Sequence, residues 1–299
     1  VTDRLRLYLG LIRFSHTVFA LPFALASALL AWSREPFRWV DLVGILACMV
    51  AARTAAMAFN RLADRHLDAR NPRTAGRHLP AELLSVSAVT FLTVAASLLF
   101  VAATALFLLR EPPNPWPLRC SLPVLAVVLG YSLAKRFTSL AHVWLGFALA
   151  LAPVAAWVAV RGFVSAEDLT SPLLLAVAVL FWVSGFDILY ATQDADFDRA
   201  AGLHSIPAKL GVRGALLVAA ALHAVTFFAL IAFGLGTPEL GTVYFAGLIP
   251  IGTLLVSQHA LVSPTDLRRV NDAFFKVNAV VSFGVLLLVA LQLAANAAG

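Results

Sequence analysis

The stretch PLLLAVAVLFWVSGFDILYAT, Pro172–Thr192, runs directly into QDADFDR, Gln193–Arg199, and its reading decides the fold. The first part is some 20 residues of apolar sequence, the length of a helix that crosses a bilayer. It carries one charge, Asp187, and an ionisable group inside an apolar span points to function by default. Similar runs lie at Thr17–Trp32, Leu42–Ala58, Val86–Leu109, Ser121–Ala134, His142–Val160, Ala215–Gly234, Thr242–Ala260 and Val277–Ala297. Together they predict an all-α polytopic membrane protein of about nine spans. Ser121–Ala134 is short for a crossing, so its helix tilts little, thins the bilayer or starts earlier, in Pro112–Pro117. The first run also has the layout of a cleaved signal peptide, but its length and the interruption at Pro22 favour a span.

Composition agrees. The 299 residues are 61% hydrophobic and 13% charged, whereas soluble domains are about 25% charged. Mean hydropathy is +0.88. With 17 Gly, 15 Pro and 2 Cys, the chain is not disordered, collagen-like or disulfide-built. Cys48 and Cys120 lie in or beside apolar runs and read as packing residues. One integral-membrane domain, 1–299, accounts for the whole.

The net charge of +6 would suggest nucleic acid in a soluble protein, but here position decides. Of the 22 Lys and Arg residues, sixteen fall in alternate connections: before the first run, at Arg61–Arg77, at Lys135-Arg136, at Arg199–Arg213 and at Arg268–Lys276. The other connections hold Arg34, Arg38, Arg110, Arg119 and Arg161, and Arg53 falls inside a span. By the positive-inside rule the N-terminus and the basic connections are cytoplasmic and the C-terminus is outside, in a bacterial-type inner (plasma) membrane. The lipid bilayer is the expected partner, with no nucleic acid and no obligate protein partner.

Six of the 16 acidic residues crowd into two windows at the cytoplasmic ends of spans: Asp64 and Asp68 in one, Asp187, Asp194, Asp196 and Asp198 in the other. Each contains D-x-x-x-D. At about 100° per residue, Arg53, Asn60, Asp64 and Asp68 share a helical face, as do Asp187, Tyr190, Asp194 and Asp198, while Asp196 points away. Carboxylates at i,i+4 repel, so two such pairs in an acid-poor chain need a cation. Mg²⁺, held by one or two carboxylates together with substrate phosphate oxygens, fits that need. The alternative is a surface lattice with Arg61, Arg65, Arg70, Arg73 and Arg199. Both windows continue into basic, Gly-containing loops suited to covering a phosphate, and Tyr131 and Lys135 stand at i,i+4 at the end of the fourth run. The recurrence of helix, D-x-x-x-D and basic loop suggests two related halves meeting at one site.

These residues resemble the UbiA superfamily of intramembrane prenyltransferases, which carries N-x-x-x-D-x-x-x-D after the second helix and D-x-x-x-D after the sixth. Here those are Asn60/Asp64/Asp68 and Asp194/Asp198, supported by R-F-S-H-T at Arg13–Thr17, Lys135-Arg136 and Tyr190–Arg199. The branch in view is that of 4-hydroxybenzoate polyprenyltransferases and UbiA-like polyprenyltransferases. One departure is Arg61, where many relatives have Asp. The resemblance implies a helical bundle around a central cavity, capped by cytoplasmic loops and open sideways to lipid. It implies that Mg²⁺ on Asp64, Asp68, Asp194 and Asp198 neutralises the diphosphate of a polyprenyl donor, so that the allylic C–O bond ionises. Arg73, Arg77, Lys135 and Lys209, with Tyr131 beside them, are candidates to hold the donor diphosphate. Asn60 belongs to the first motif. Asp187, near Tyr190, is the candidate to orient the acceptor, to stabilise positive charge or to act as the base.

Arg53 lies inside an apolar helix, two turns from Asn60 and on its face. An unpaired charge there costs at least about 2.5 kcal/mol. Either the carboxylate of an aromatic acid or a buried ion pair with another helix would relieve it. The expected reaction is prenylation of a 4-hydroxybenzoate-like ring in quinone synthesis, with 1,4-dihydroxy-6-naphthoate as the alternative acceptor. A cation-coupled transporter, or a channel or receptor with an acidic vestibule, is the reading from other classes.

Overall fold

Acyl chains offer the backbone no hydrogen bonds, so each span must satisfy its own N–H and C=O groups within a helix. The computed structural model describes residues 2–12 and 19–298, and these are helical apart from short connections. The R-F-S-H-T stretch at Arg13–Thr17, and with it the start of the first predicted span, lies outside the described residues. The helices are α1 Thr2–Leu11, α2 Leu21–Trp32, α3 Trp39–Arg70, α4 Val86–Thr104, α5 Trp116–Ala134, α6 Ala141–Arg161, α7 Thr170–Ala191, α8 Ala195–Ala200, α9 Ile206–Leu235, α10 Thr242–Ala260, α11 Val270–Asp272 and α12 Asn278–Ala298.

Among the described residues eight helices are long and apolar enough to cross a membrane, and α2, with 12 residues, is a shorter apolar helix. The nine runs are thus all helical, but the first is described only over a length of about 18 Å. The fourth run begins earlier than Ser121, at Trp116. Asn114 Oδ1 accepts from the Trp116 backbone N–H at 3.2 Å, and Pro117 falls in the first turn, where a missing N–H costs nothing. Arg119, which looks like a boundary, lies over the Trp116 ring at 5.1 Å.

The helices form two compact units. In one, α3 packs along α4 with α1 and α5, and Leu11, Ile12, Met57, Ala58, Leu79 and Val89 form a buried cluster. The other holds α2 and α6 to α12, with α7 packed between α6 and α9 and Ile188, Leu189, Ala215 and Ala219 buried around it. Rings cluster in tilted and edge-to-face contacts around Trp182 and Phe186: Phe23 lies 5.1 Å from Trp182, and Phe19 and Phe274 lie 5.3 Å from Phe186. Phe91, Leu98, Ile249 and Val256 stand exposed, as surfaces facing lipid should.

Candidate active site

At 32 residues α3 is about 48 Å long, well beyond a hydrocarbon core of about 30 Å, so its polar end, with Asn60, Asp64 and Asp68, continues as helix past the apolar part. The i,i+4 spacing becomes contact there: Asn60 Nδ2 donates to Asp64 Oδ2 at 3.0 Å. Buried Arg61 donates to Asn60 Oδ1 and to the Leu11 carbonyl, both at 3.4 Å. Where a carboxylate was expected from relatives, a guanidinium thus orients the amide that holds Asp64. Arg53 and Tyr131 join this group, the hydroxyl of Tyr131 interacting with the charges of Arg53, Arg61 and Asp64 and lying 3.9 Å from Met57 Sδ. His78, in the following loop, is held below the usual imidazole range by burial and then by Arg61.

Beyond α3 the chain turns so that Arg77 reaches back to Asp68, with Nη1 at 2.8 and 2.9 Å from the two carboxylate oxygens. Thr74 Oγ1 helps to close the turn by donating to the Asp68 carbonyl at 3.1 Å. Of the lattice candidates, Arg61 meets the motif through Asn60. Arg65 and Arg70 donate to the helix carbonyls of Leu62 and His66, and Arg199 pairs with Asp196. Arg73 is exposed in the loop, where its backbone N–H donates to Asn71 Oδ1.

The second motif departs from the single helical face read for Asp187, Tyr190, Asp194 and Asp198. α7 ends at Ala191, and a tight 3-10 turn, Thr192–Asp194, separates it from α8. Thr192 Oγ1 donates to the Leu189 carbonyl at 2.7 Å and Gln193 Nε2 to the Tyr190 carbonyl at 3.1 Å, so side chains compete for the carbonyls that would carry the helix on. Asp194 and Asp198 are nonetheless both buried, and Asp196 is fully exposed, as its register predicts. Lys135 Nζ stands 3.7 Å from Asp198 Oδ2, a buried oxygen that accepts no hydrogen bond among the described residues. Gly202, at φ +67°, turns the chain into α9, capped by Ser205, whose hydroxyl accepts from the Ala208 N–H. Lys209 is therefore exposed on the first turn of a helix, and not in a covering loop.

The residue that sequence reasoning missed is His142. Its imidazole is fully buried, and Nδ1 lies 2.6 Å from Asp187 Oδ2. A Cβ on Gly146 would strike the Leu180 carbonyl and the Ser184 hydroxyl, so α6 and α7 run close there, one turn from the His142–Asp187 pair. The available signal was a histidine opening an otherwise apolar run.

Among the described residues no three His, Cys, Asp or Glu side chains gather into a metal cage. A Mg²⁺ ion carried in with a diphosphate needs only one or two carboxylates beside the phosphate oxygens. The buried, unbonded Asp198 Oδ2 is such a donor, and the chemistry of the motif carboxylates fits the ion.

The UbiA prenyltransferase family model matches residues 20–295. A 4-hydroxybenzoate octaprenyltransferase of Vibrio atlanticus is 32% identical over 238 residues, 79% of each chain. The structure of a UbiA homolog from Aeropyrum pernix K1 matches with a TM-score of 0.78 and 34% identity over 94% of this chain and 98% of that one. A UbiA homolog from Archaeoglobus fulgidus bound to GPP and Mg²⁺ shares the fold, with a TM-score of 0.70 at 18% identity, over 96% of this chain and 99% of that one. The family match and these likenesses set aside the transporter and channel readings, and the chain, with eight membrane-length helices among the described residues, is a multi-pass membrane enzyme that belongs to the UbiA prenyltransferase family.

Proposed function

We propose that this enzyme transfers a polyprenyl group from a polyprenyl diphosphate to a ring carbon of 4-hydroxybenzoate, releasing diphosphate in a Mg²⁺-dependent reaction. The observation that carries the reading is buried Asp198, with one oxygen unbonded and Lys135 at 3.7 Å, in a family whose similar member in Vibrio atlanticus is named for this acceptor.

Asp64, Asp68, Asp194 and Asp198 are the residues that would hold the metal, which supplies neutralisation of the diphosphate as its C–O bond breaks. Arg77 and Lys135, the cations paired with motif carboxylates, move to the leaving diphosphate, helped by Arg73 and Lys209. Arg53, with Tyr131 and Asn60 nearby, binds the acceptor carboxylate. The electron-rich ring carbon then attacks the allylic carbon. Asp187, with Tyr190 one turn along, accepts the ring proton on Oδ1, the oxygen that His142 leaves open. The charge asymmetry supports a cytoplasmic N-terminus and cytoplasmic motif loops in a bacterial inner membrane.

The test is turnover by the purified protein in liposomes with Mg²⁺ and a polyprenyl diphosphate, 4-hydroxybenzoate and 1,4-dihydroxy-6-naphthoate being offered in parallel. Prenylated 4-hydroxybenzoate, lost with Asp64→Ala or Asp194→Ala, is the expected result. Transfer to the naphthoate alone would move the enzyme to menaquinone synthesis, and transfer to neither would overturn the acceptor class.

A further inference from the structure

The His142–Asp187 pair is more than a buried ion pair, because the second ring nitrogen also has an assigned role. The Ile206 backbone N–H, in the first turn of α9, faces His142 Nε2 at 3.4 Å. A backbone N–H can only donate, so Nε2 is the acceptor and the ring proton resides on Nδ1. From there it is donated to Asp187 Oδ2 at 2.6 Å. The same stretch is tied a second time, to the chain ahead of α6, where the His204 N–H donates to the Lys135 carbonyl at 2.7 Å. The segment after the second aspartate motif is thus fastened at two points, to the His142 ring on α6 and to the turn that also supplies Lys135 to Asp198. Asp187 is the most open member of the dyad, its side chain 23% exposed against 0% for His142, and Oδ1 has no hydrogen bond among the described residues.

We infer that His142 is a positioning residue for the prenyl transfer, an imidazole with its proton on Nδ1 that donates to Asp187 Oδ2 and turns the carboxyl group so that Oδ1 meets the ring proton. The inference rests on the function proposed above. After the allylic carbon bonds to the ring, the ring is cationic. The C–H bond at the substituted carbon breaks, its electron pair restores aromaticity, and the proton passes to Asp187 Oδ1. His142 keeps its own proton on Nδ1 throughout. A protonated arene is acidic enough that the orientation of the accepting oxygen matters more than its basicity. The Ile206 N–H sets the tautomer, so the start of α9 acts on the reacting oxygen through the ring.

Two measurements test the role. The first is the ¹⁵N spectrum of labelled protein in lipid, with the His142 signal assigned by its loss in His142→Asn. The expected pattern is a neutral ring protonated at Nδ1 and bare at Nε2. The second compares His142→Leu and His142→Asn, since the Asn amide nitrogen can occupy the Nδ1 position and still donate to Asp187. The Leu variant should lose about 10²-fold in kcat with the donor KM unchanged. With acceptor deuterated at the prenylated carbon, it should show a primary isotope effect that the wild type lacks. The Asn variant should recover most of the rate. A ring protonated at Nε2, or equal losses in Leu and Asn without an isotope effect, would overturn the role. A wild type that prenylates neither acceptor would overturn the functional reading and this inference with it, whereas an active wild type with the wrong tautomer overturns the inference alone.

Discussion

Arg77 Nη1 bridges the two carboxylate oxygens of Asp68 at 2.8 and 2.9 Å, nine residues apart along the chain. A guanidinium on a carboxylate that is to meet a metal diphosphate is a competitor for the metal and a ready cation for the leaving group. The Arg77 side chain is 20% exposed and that of Asp68 9%, so the pair is largely shielded from water and a diphosphate oxygen would take the place of the carboxylate on the same guanidinium. Arg77→Gln frees Asp68 but removes the cation. It should leave Mg²⁺ affinity equal or tighter while kcat falls about 10- to 100-fold, the worth of one charged hydrogen bond. Titrating rate against Mg²⁺ and donor separates the two effects, and a loss confined to the Mg²⁺ requirement would contradict the assignment.

The second motif contains its own control. Asp194 and Asp198 are buried, whereas Asp196, two residues from each, is fully exposed and pairs only with Arg199 at 3.1 Å. Surface pairs of this kind contribute about 0–1 kcal/mol. Asp196→Asn is expected to keep activity within about twofold, while Asp198→Asn abolishes Mg²⁺-dependent diphosphate release. Equal damage from the two variants, measured in one assay, would mean that the motif acts through its total charge.

The parts of this arrangement visible in the sequence are those governed by one helix at a time. Asn60 and Asp64 meet because α3 is continuous, and Asp196 points away because a residue two places along must. What stayed hidden is set by competition or by distance. The break at Thr192–Asp194 comes from Thr192 and Gln193 taking carbonyls that helical periodicity assigns to backbone N–H groups. The early start of α5 is masked by Arg119, a charge made tolerable by the ring of Trp116. His142 and Asp187 are 45 positions apart and meet only because Gly146 lets α6 and α7 close. Residue patterns carry no trace of such a pairing.

Arg61 tests how the departure from the family pattern is accommodated. Its guanidinium donates to Asn60 Oδ1, and Asn60 in turn donates to Asp64. If Arg61 works through Asn60, Arg61→Met and Asn60→Ala remove the same support, and the double variant should be no slower than the worse single one. Coupled neighbours typically differ from additivity by 0.5–3 kcal/mol, so an interaction of about fivefold in kcat/KM is expected. Arg61→Lys should not rescue, because an ammonium cannot reproduce the fork that reaches both Asn60 and the Leu11 carbonyl. Strict additivity would place Arg61 outside the aspartate network.

Arg34 and Glu239 connect the chain after α2 to the chain before α10, with Nε to Oε1 at 2.6 Å and Nη2 to Oε2 at 2.9 Å, and Arg34 also lies over the Trp157 ring at 5.0 Å. Burial pushes the Glu239 carboxyl up, but the Arg34 hydrogen bond and charge outweigh it and leave the group below its ordinary value of 4.5. A carboxyl depressed by folding contributes stability that is present above the unfolded value and disappears as pH falls through the folded one. Glu239→Gln should therefore unfold at a lower temperature than wild type at pH 7, and the gap should close as the pH is taken below about 4.5. Because Glu239 is partly open to solvent, added salt should narrow the gap at pH 7 as well. Unfolding midpoints in detergent at several pH values and two salt concentrations read both trends. A gap of constant size from pH 7 to pH 3.5 would show that the side chain matters there for its shape and not for its charge.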